Sequence, residues 1–338
     1  IVKIPDQLVA DSLQTAPRRY KLCGRRPELD AQIGGDEGTY FYCSGEAPKI
    51  VDLETGKRRH SVKRDVADMA KVADYLPIVS LLWPTVSAND KGATSPLHAV
   101  EACFNNTEKH VQTESVMDEI SAKYAIEMAS VVAGGSKELR QMPLHSLLLC
   151  TIQPLAQDRG GIESAIAYAE AGLPVGFASM PTLGLTGPPY SAGSLAIGIA
   201  EVLSACILTQ IVNPGTANFV SILPSVFDPR TGNYFMGSSP AQITCAAAVQ
   251  LGHSNGLPIT ACTSFGGSQW KLNNWQVGIE NLYVHLLAVM AGADMSFGPS
   301  GMIEAVSLLD MRRILFDCEI LQAIDIISDG LEVNEHTL

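Results

Sequence analysis

LPVGFASMPTLGLTGPPYSAGSLAIGIAE, residues Leu173–Glu201, is the stretch on which the fold turns. Val175 to Ala178 is a short apolar run without alternation, the pattern of a strand covered on both faces. A loop dense in Gly, Pro and Thr follows, and a long apolar helix opens near Ser191 or Ala192. Parallel α/β proteins build their sites in such loops, between the carboxyl end of a strand and the next helix.

The same unit recurs on either side. Strands are predicted at Pro77–Leu82, Lys109–Thr113, Ser146–Ile152, Pro174–Ala178, Asn218–Leu223, Pro258–Thr263 and Asp294–Phe297. Helices are predicted at Asp65–Asp74, Leu97–Phe104, Val116–Val132, Gly161–Ala171, Ala192–Ile211, Ala241–His253, Gln276–Ala291 and Ser307–Leu331. Ala171-Gly172, Asn255-Gly256 and Ala291-Gly292 close three of these helices, as left-handed C-caps require. Seven strand–helix units in order imply a parallel sheet with helices outside. No G-x-G-x-x-G opens a helix after the first strand and no G-x-x-x-x-G-K-[ST] occurs, so the open nucleotide-binding sheets lack their phosphate cradle. The expected fold is therefore α/β, a (β/α)8 TIM-type barrel.

The stretch before about Lys63 is different, Gly- and Pro-rich with short strand candidates at Thr39–Cys43 and Lys49–Leu53. Residues 1–63 are read as a small N-terminal β appendage packed on the barrel, and residues 64–338 as the barrel itself. The eighth strand is expected from that β element or from chain beyond the end. A start without Met and an end in a helical context suggest a chain trimmed at both ends.

Charged residues are 17% of the 338 and apolar ones 46%, which favours a large, well-covered core. A net charge of −12 argues against a nucleic-acid surface, and no basic run is longer than Lys57-Arg58-Arg59-His60, with Lys63-Arg64 close behind it. Leu195–Val212 is the longest apolar candidate for a membrane span, but Gly198, Glu201, Ser204 and Gln210 interrupt it, so no membrane association is expected. The eight cysteines are scattered without a C-x-x-C pair and are read as buried thiols in a reducing cytoplasm. No clustered Cys/His set is visible, so no metal is expected on this chain.

On a barrel the chemistry belongs to the loops after the strands. These carry Trp83, Glu114, Gln153, Met180 to Tyr190, Ser225 to Asp228, Ser264 to Gly267 and Gly298 to Gly301. The face is aromatic, thioether and amide, with few ionisable groups and no Ser/His/Asp set. His145 lies at the amino-terminal end of its strand and reads as a structural or surface residue. Phe265, Trp270 and Trp275 lie beside paired glycines. They either form faces of a cage for a quaternary ammonium ion or pack the loop on the barrel, with Gln276 and Glu280 as an exposed i,i+4 pair. Asp228-Pro229-Arg230-Thr231-Gly232, next to Phe227, is a β-turn or a substrate-facing loop. Tyr190 is a cage wall or a packing residue. Glu114 is a cation-stabilising group or a solvated carboxylate. The largest pocket is expected at the carboxyl ends of the strands, lined by Tyr190, Phe227, Phe265, Trp270 and Gln276.

Taken in order, several motifs resemble the trimethylamine methyltransferase superfamily. They are Arg25-Arg26-Pro27, Val51 to Arg59, Asn106-Thr107-Glu108-Lys109, Gly134-Gly135, Gln153-Pro154-Leu155, Thr186 to Gly193, Gln210 to Gly215, Phe227 to Gly232 and Lys271 with Gln276 and Glu280. The resemblance spans nearly the whole chain and rests on order and spacing. It implies a TIM barrel that moves a methyl group from a methylated amine to the Co(I) of a corrinoid (cobalamin) carried by a partner protein. Founding members carry pyrrolysine, and no such residue stands in this sequence. The chain is therefore more similar to the branch that includes glycine betaine methyltransferases. The loop Gly187-Pro188-Pro189-Tyr190-Ser191 is richer in proline than that family's usual version.

On this reading Glu114, Gln276 and Glu280 are the candidate catalytic residues, and Tyr190, Phe227, Phe265, Trp270 and Trp275 hold substrate. Attack by Co(I) on an N-methyl carbon expels a neutral tertiary amine, so no general acid is needed. A quaternary substrate such as glycine betaine is expected. A tertiary-amine enzyme of the trimethylamine type and a non-catalytic amine- or corrinoid-binding barrel are the alternatives. A homo-oligomer is expected.

Overall fold

The computed structural model describes residues 2–35, 37–261 and 274–337. Eight parallel strands form one sheet: β1 (Tyr40–Cys43), β2 (Val79–Leu82), β3 (His110–Thr113), β4 (His145–Cys150), β5 (Val175–Ser179), β6 (Asn218–Ile222), β7 (Thr260–Ala261) and β8 (Met295–Phe297). Each pairs with its chain neighbour, and β8 returns to pair with β1. Closure between β6 and β7 comes from a parallel bridge, Val220 to Ile259, and from Val220 N–H donating to the Pro258 carbonyl at 2.9 Å. The barrel is closed, as expected.

Eight outer helices follow the strands: α1 (Lys63–Tyr75), α2 (Ser95–Phe104), α3 (Glu119–Ala133), α4 (Arg159–Ala171), α5 (Ser191–Val212), α6 (Ser239–Ser254), α7 (Trp275–Met290) and α8 (Met311–Asp329). Local chemistry sets their ends. Asp118 and Asp158 cap α3 and α4 by accepting from Ser121 N–H and Gly161 N–H at 2.8 and 2.7 Å. Gly172 ends α4 at φ 78°, a conformation open to glycine without steric cost. The last helix starts four residues later than its sequence pattern suggests, because Leu308–Leu309 is used as a strand.

Two apolar layers result. Outside the sheet, residues such as Val66, Ala122, Val202 and Val284 fill the space between strands and helices. Inside it, Tyr42, Leu81, Trp83, Leu148, Ala178, Phe219, Met295 and Phe297 pack together. Gly176 on β5 is needed there, because a Cβ at that position would lie 2.1 Å from the Phe219 ring. That interior continues into Leu22, Ala31 and Ile33 of an antiparallel hairpin, Tyr20–Leu22 with Ala31–Ile33. Cys23 N–H donates to the Pro143 carbonyl just before β4, so the hairpin closes the amino-terminal end of the barrel.

The division at residue 63 therefore runs through the barrel, which begins at Tyr40. The strand predicted at Thr39–Cys43 is β1, and its hydrogen bonds to β2 and β8 make it the closing strand. The strand predicted at Lys49–Leu53 is Lys49–Val51. It pairs with Arg58–His60 and with Leu308–Leu309, which pairs in turn with Met302–Ile303. This small sheet joins the loops after β1 and β8 at the barrel's upper rim.

The α5 helix corrects one expectation. By length and composition it is apolar enough to cross a membrane, despite its polar interruptions. It is instead an outer helix of the barrel, with Ser194, Gly198, Glu201, Val202, Ala205 and Cys206 buried. The interruptions that broke its hydropathy are the contacts it makes: Thr151 and Ser179 hydroxyls donate to the Glu201 carboxylate at 2.8 and 2.6 Å, and Leu155 N–H donates at 2.7 Å. Of the eight cysteines, the seven among the described residues are free thiols.

His145 is fully buried at the start of β4, with Nδ1 2.6 Å from the Val111 carbonyl. Burial pushes its pKa down to about 4, and burial together with the neighbouring His145 pushes His110 down to about 3. Both rings are neutral in the folded chain, so their contribution is complete above the unfolded pKa near 6.5 and is lost as pH falls towards 4. Denaturation at pH 7 and pH 5 should show a loss of about 2 kcal/mol from each ring at the lower pH. An unchanged midpoint would show that these rings are not held neutral.

Candidate active site

A cavity of about 370 Å³ opens at the carboxyl ends of the barrel strands. Its floor is made by Leu148, Ala178 and Leu223. Trp83, directly after β2, forms one wall, with its ring centroid 6.1 Å from Phe297. Met180, Thr182 and Thr186 come from the loop after β5. Ser225, Tyr234 and Met236 come from a hairpin after β6, whose strand Ser225–Asp228 also pairs with Thr182–Leu183. Gln153, Gly45, Ala305 and Val306 complete the rim.

Glu114 is the one carboxyl group among the described residues that line the cavity. It follows β3, and the Cys150 thiol at the end of β4 donates to its Oε1 at 2.8 Å. Burial raises its pKa, while the thiol pulls the other way. The thiol itself is pushed well up, first by burial and then by Glu114, so it stays protonated. One residue beyond Glu114, the Ser115 hydroxyl donates to Oε2 of Glu46 in the loop after β1. Burial and the nearby Glu114 push Glu46 up to about 8, and the adjacent Trp83 side chain acts in the opposite direction. An apolar, thioether- and aromatic-walled chamber with carboxyl groups on one side is suited to a cation that carries methyl groups.

The rim beside Val306 is strained. Glu304, Ala305 and Val306 have φ of 55, 49 and 73°, a left-handed run with no glycine in it. Arg58 pairs with Glu304 at 2.6 Å and ties this run to the rim sheet. Its base is set by Asp317 on α8, which accepts from Gly301 N–H at 3.0 Å and from Asn281 at 2.9 Å and pairs with Arg313 at 3.2 Å.

A cavity does open at the carboxyl ends of the strands, but the groove between α7 and α8, at about 580 Å³, is larger than it, and several of the expected walls lie elsewhere. Trp83, Glu114, Gln153, Met180, Thr182, Thr186 and Ser225, all in loops after strands, do line the cavity. Tyr190 does not. It stands before the first residue of α5 and is 79% exposed. Phe227 lies farther along its strand, opposite Tyr234, and Tyr234 is the ring that reaches the cavity.

Trp275, Gln276 and Glu280 begin α7, outside the chamber. Trp275 is 76% exposed and borders a separate groove with Phe316 and Ile320 of α8. Gln276 donates to Glu280 at 2.8 Å, the i,i+4 pair that was the simpler of its two readings. Phe265 and Trp270 lie outside the described residues. Asp228 organises a turn, accepting from Arg230 N–H at 2.9 Å, with Gly232 closing it at φ 72°. Among the described residues there is no group of three or more His, Cys, Asp or Glu side chains able to hold a metal ion.

Sequence reasoning missed Gly45 and Glu46 because β1 was assigned to the appendage, so its following loop was not counted among the site loops. Tyr234 and Met236 were missed because the turn at Asp228 was not extended into a returning strand. The signal was present in the Asp-Pro-Arg-Thr-Gly turn flanked by Ser225–Asp228 and Asn233–Phe235.

Comparison with known proteins agrees with this architecture. The chain is 31% identical to the trimethylamine methyltransferase MttB of Methanosarcina thermophila over all of this chain and 70% of that protein. It is likewise 31% identical to the MttB of Desulfitobacterium hafniense strain DSM 10664 / DCB-2, over all of this chain and 67% of that protein. A glycine betaine methyltransferase of Desulfitobacterium hafniense strain Y51 is 27% identical over 94% of this chain and 66% of that protein. The chain thus spans about two thirds to 70% of the length of these relatives. The crystal structure of the Methanosarcina barkeri monomethylamine methyltransferase superposes with a TM-score of 0.63 at 12% identity, covering 98% of this chain and 69% of that one. A dihydropteroate synthase from Coxiella burnetii gives 0.53 at 12% identity over 92% of this chain and 99% of that one, the same barrel in another context. The trimethylamine methyltransferase (MTTB) family model matches residues 1–338. A closed barrel with an apolar chamber at its carboxyl end, a family match along the full sequence and 31% identity to trimethylamine methyltransferases place this chain in the trimethylamine methyltransferase (MTTB) family.

Proposed function

We propose that this protein transfers a methyl group from a quaternary methylated amine, of the glycine betaine type, to the Co(I) of a corrinoid carried by a partner protein. The observation that carries the reading is the chamber: apolar and thioether walls, the Trp83 ring, and Glu114 facing the same space. A trimethylammonium group makes no hydrogen bonds, so apolar and aromatic walls hold it and a carboxylate balances its charge. The docked corrinoid supplies the nucleophile. The chain's residues align the N–CH₃ bond with the barrel mouth and exclude water from the cation.

The C–N bond breaks with its electron pair left on nitrogen, and a neutral tertiary amine leaves. No proton moves. The absence of a paired general acid and base around the chamber's described walls fits this chemistry, and Gln153 or Thr186 at the rim would bind the carboxylate end of a betaine. Phe265 and Trp270 are proposed as further aromatic walls.

A second reading, trimethylamine itself as donor, is supported by the 31% identity to trimethylamine methyltransferases against 27% to the betaine enzyme. Corrinoid methylation measured in parallel with betaine, carnitine, proline betaine and trimethylamine separates the two. Turnover is expected with a quaternary compound. Faster turnover of trimethylamine than of every quaternary compound would overturn the substrate assignment.

A further inference from the structure

We propose that Glu46, behind the chamber wall, forms with Glu114 a carboxyl pair that releases one proton when a quaternary ammonium ion enters, and that Glu46 thereby sets the cavity's selectivity for permanent cations. The inference deepens the reading above and depends on it for the substrate class. Its geometric basis is independent of the corrinoid. Glu114 lines the cavity, Glu46 is tied through Ser115 to the residue after Glu114, and Gly45 lines the same rim. The second oxygen of Glu46, Oε1, is buried, and the Trp83 side chain beside the carboxyl group favours its ionised form. No cation of the protein is paired with either carboxyl among the salt bridges of the described residues. Two close carboxyl groups in an apolar wall do not both ionise in an empty chamber, so one proton stays on the pair.

The physical consequence is a charge that adjusts to the ligand. An empty chamber keeps the proton and avoids an unbalanced buried charge. A quaternary ammonium ion beside Glu114 favours the fully ionised pair, and the proton leaves to solvent. A neutral molecule of the same shape gives no such exchange.

The surrounding groups do not interfere. Cys103 on α2 feels Glu46 and is pushed up by burial, and Cys150 on β4 is pushed well up, so both thiols hold their protons through neutral pH. The neighbours of Gly45 from the loop after β8 are Met302 and Val306, and Glu304 in that loop is paired with Arg58. With Glu46 at about 8, the sign is fixed: cation affinity is full above that pH and declines as pH falls below it.

Titration calorimetry of the whole protein with tetramethylammonium and with glycine betaine tests this without any corrinoid. Tetramethylammonium should bind about tenfold more tightly at pH 9 than at pH 7, as a one-proton linkage centred near 8 requires. At pH 7, heats in two buffers of different ionisation enthalpy should report close to one proton released. Glu46→Gln should reduce the tenfold change to less than about twofold, because Glu114 then ionises alone at lower pH. Absence of proton release by the wild-type protein, or an unchanged pH dependence in Glu46→Gln, would overturn the proposal. If the variant does not fold, the wild-type proton count decides. Ammonium binding with proton release but no methylation of Co(I) would leave this inference intact and remove the methyltransferase reading. Methylation without proton release would do the reverse.

Discussion

Replacing Glu114 with glutamine is expected to lower turnover of a quaternary ammonium substrate at least a hundredfold while leaving the barrel folded. The side chain keeps its shape and loses its charge. A carboxylate about 4 Å from a cation is worth about 4 kcal/mol at an effective dielectric of 20, or roughly a thousandfold in affinity. Partial solvation of the open chamber reduces this, so a hundredfold loss is the firm expectation. Cys150 loses a charged acceptor but can still donate to the amide oxygen. The change should fall on substrate affinity as well as on rate, because the cation is present in the ground state. Corrinoid methylation by the variant at saturating and limiting donor concentrations checks this. A loss below fivefold would mean that the cation is balanced elsewhere.

A second large effect is expected at Asp317, far from the reacting atoms. Its two oxygens hold Arg313 of α8, Asn281 of α7 and the backbone of Gly301. Asp317→Ala leaves the Arg313 guanidinium buried without that partner, and breaking such a pair costs about 3–5 kcal/mol. Unfolding should therefore shift to a distinctly lower urea concentration. The loop after β8 should also loosen, since Gly301 begins the run that brings Ala305 and Val306 to the chamber. Turnover should fall even under conditions where the variant is fully folded. Equilibrium denaturation and assays at low temperature separate the two effects. A midpoint within about 1 kcal/mol of wild type would show that water or a neighbouring group replaces the carboxylate.

Both predictions draw on features that the sequence discloses to different degrees. The seven strands from Val79 to Phe297 were legible because each is a short apolar run between helices with recognisable ends, such as Gly172 and Gly256. β1 was only one of two candidates for the eighth strand. Tyr40–Cys43 is followed by the rim strand Lys49–Val51 instead of a helix, so the strand–helix alternation that identified its neighbours is missing there. Its membership depends on pairing with β8, more than 250 residues away, as the register of Phe297 with Tyr42 shows.

The site divides along the same line. Loops immediately after strands project into the mouth of any such barrel, and this local rule located Trp83, Glu114, Gln153 and Met180. Tyr190 and Trp275 satisfied the same rule in sequence yet point away. They sit at helix starts, where the chain has already turned outward from the barrel axis. Aromatic composition alone carries no direction.

By itself the sequence determined the order of strands and helices, the closure of the barrel as the preferred architecture, the family and the end at which the chamber opens. Each of these follows from periodicity, helix ends and motif order, which are properties of neighbours along the chain. Only the tertiary structure decided which side chains face the chamber, that β1 completes the barrel and that Glu46 is tied through the Ser115 hydroxyl to the residue after Glu114. Those depend on strand register and loop direction, which bring together residues from β1, β3 and β8 that no local pattern links.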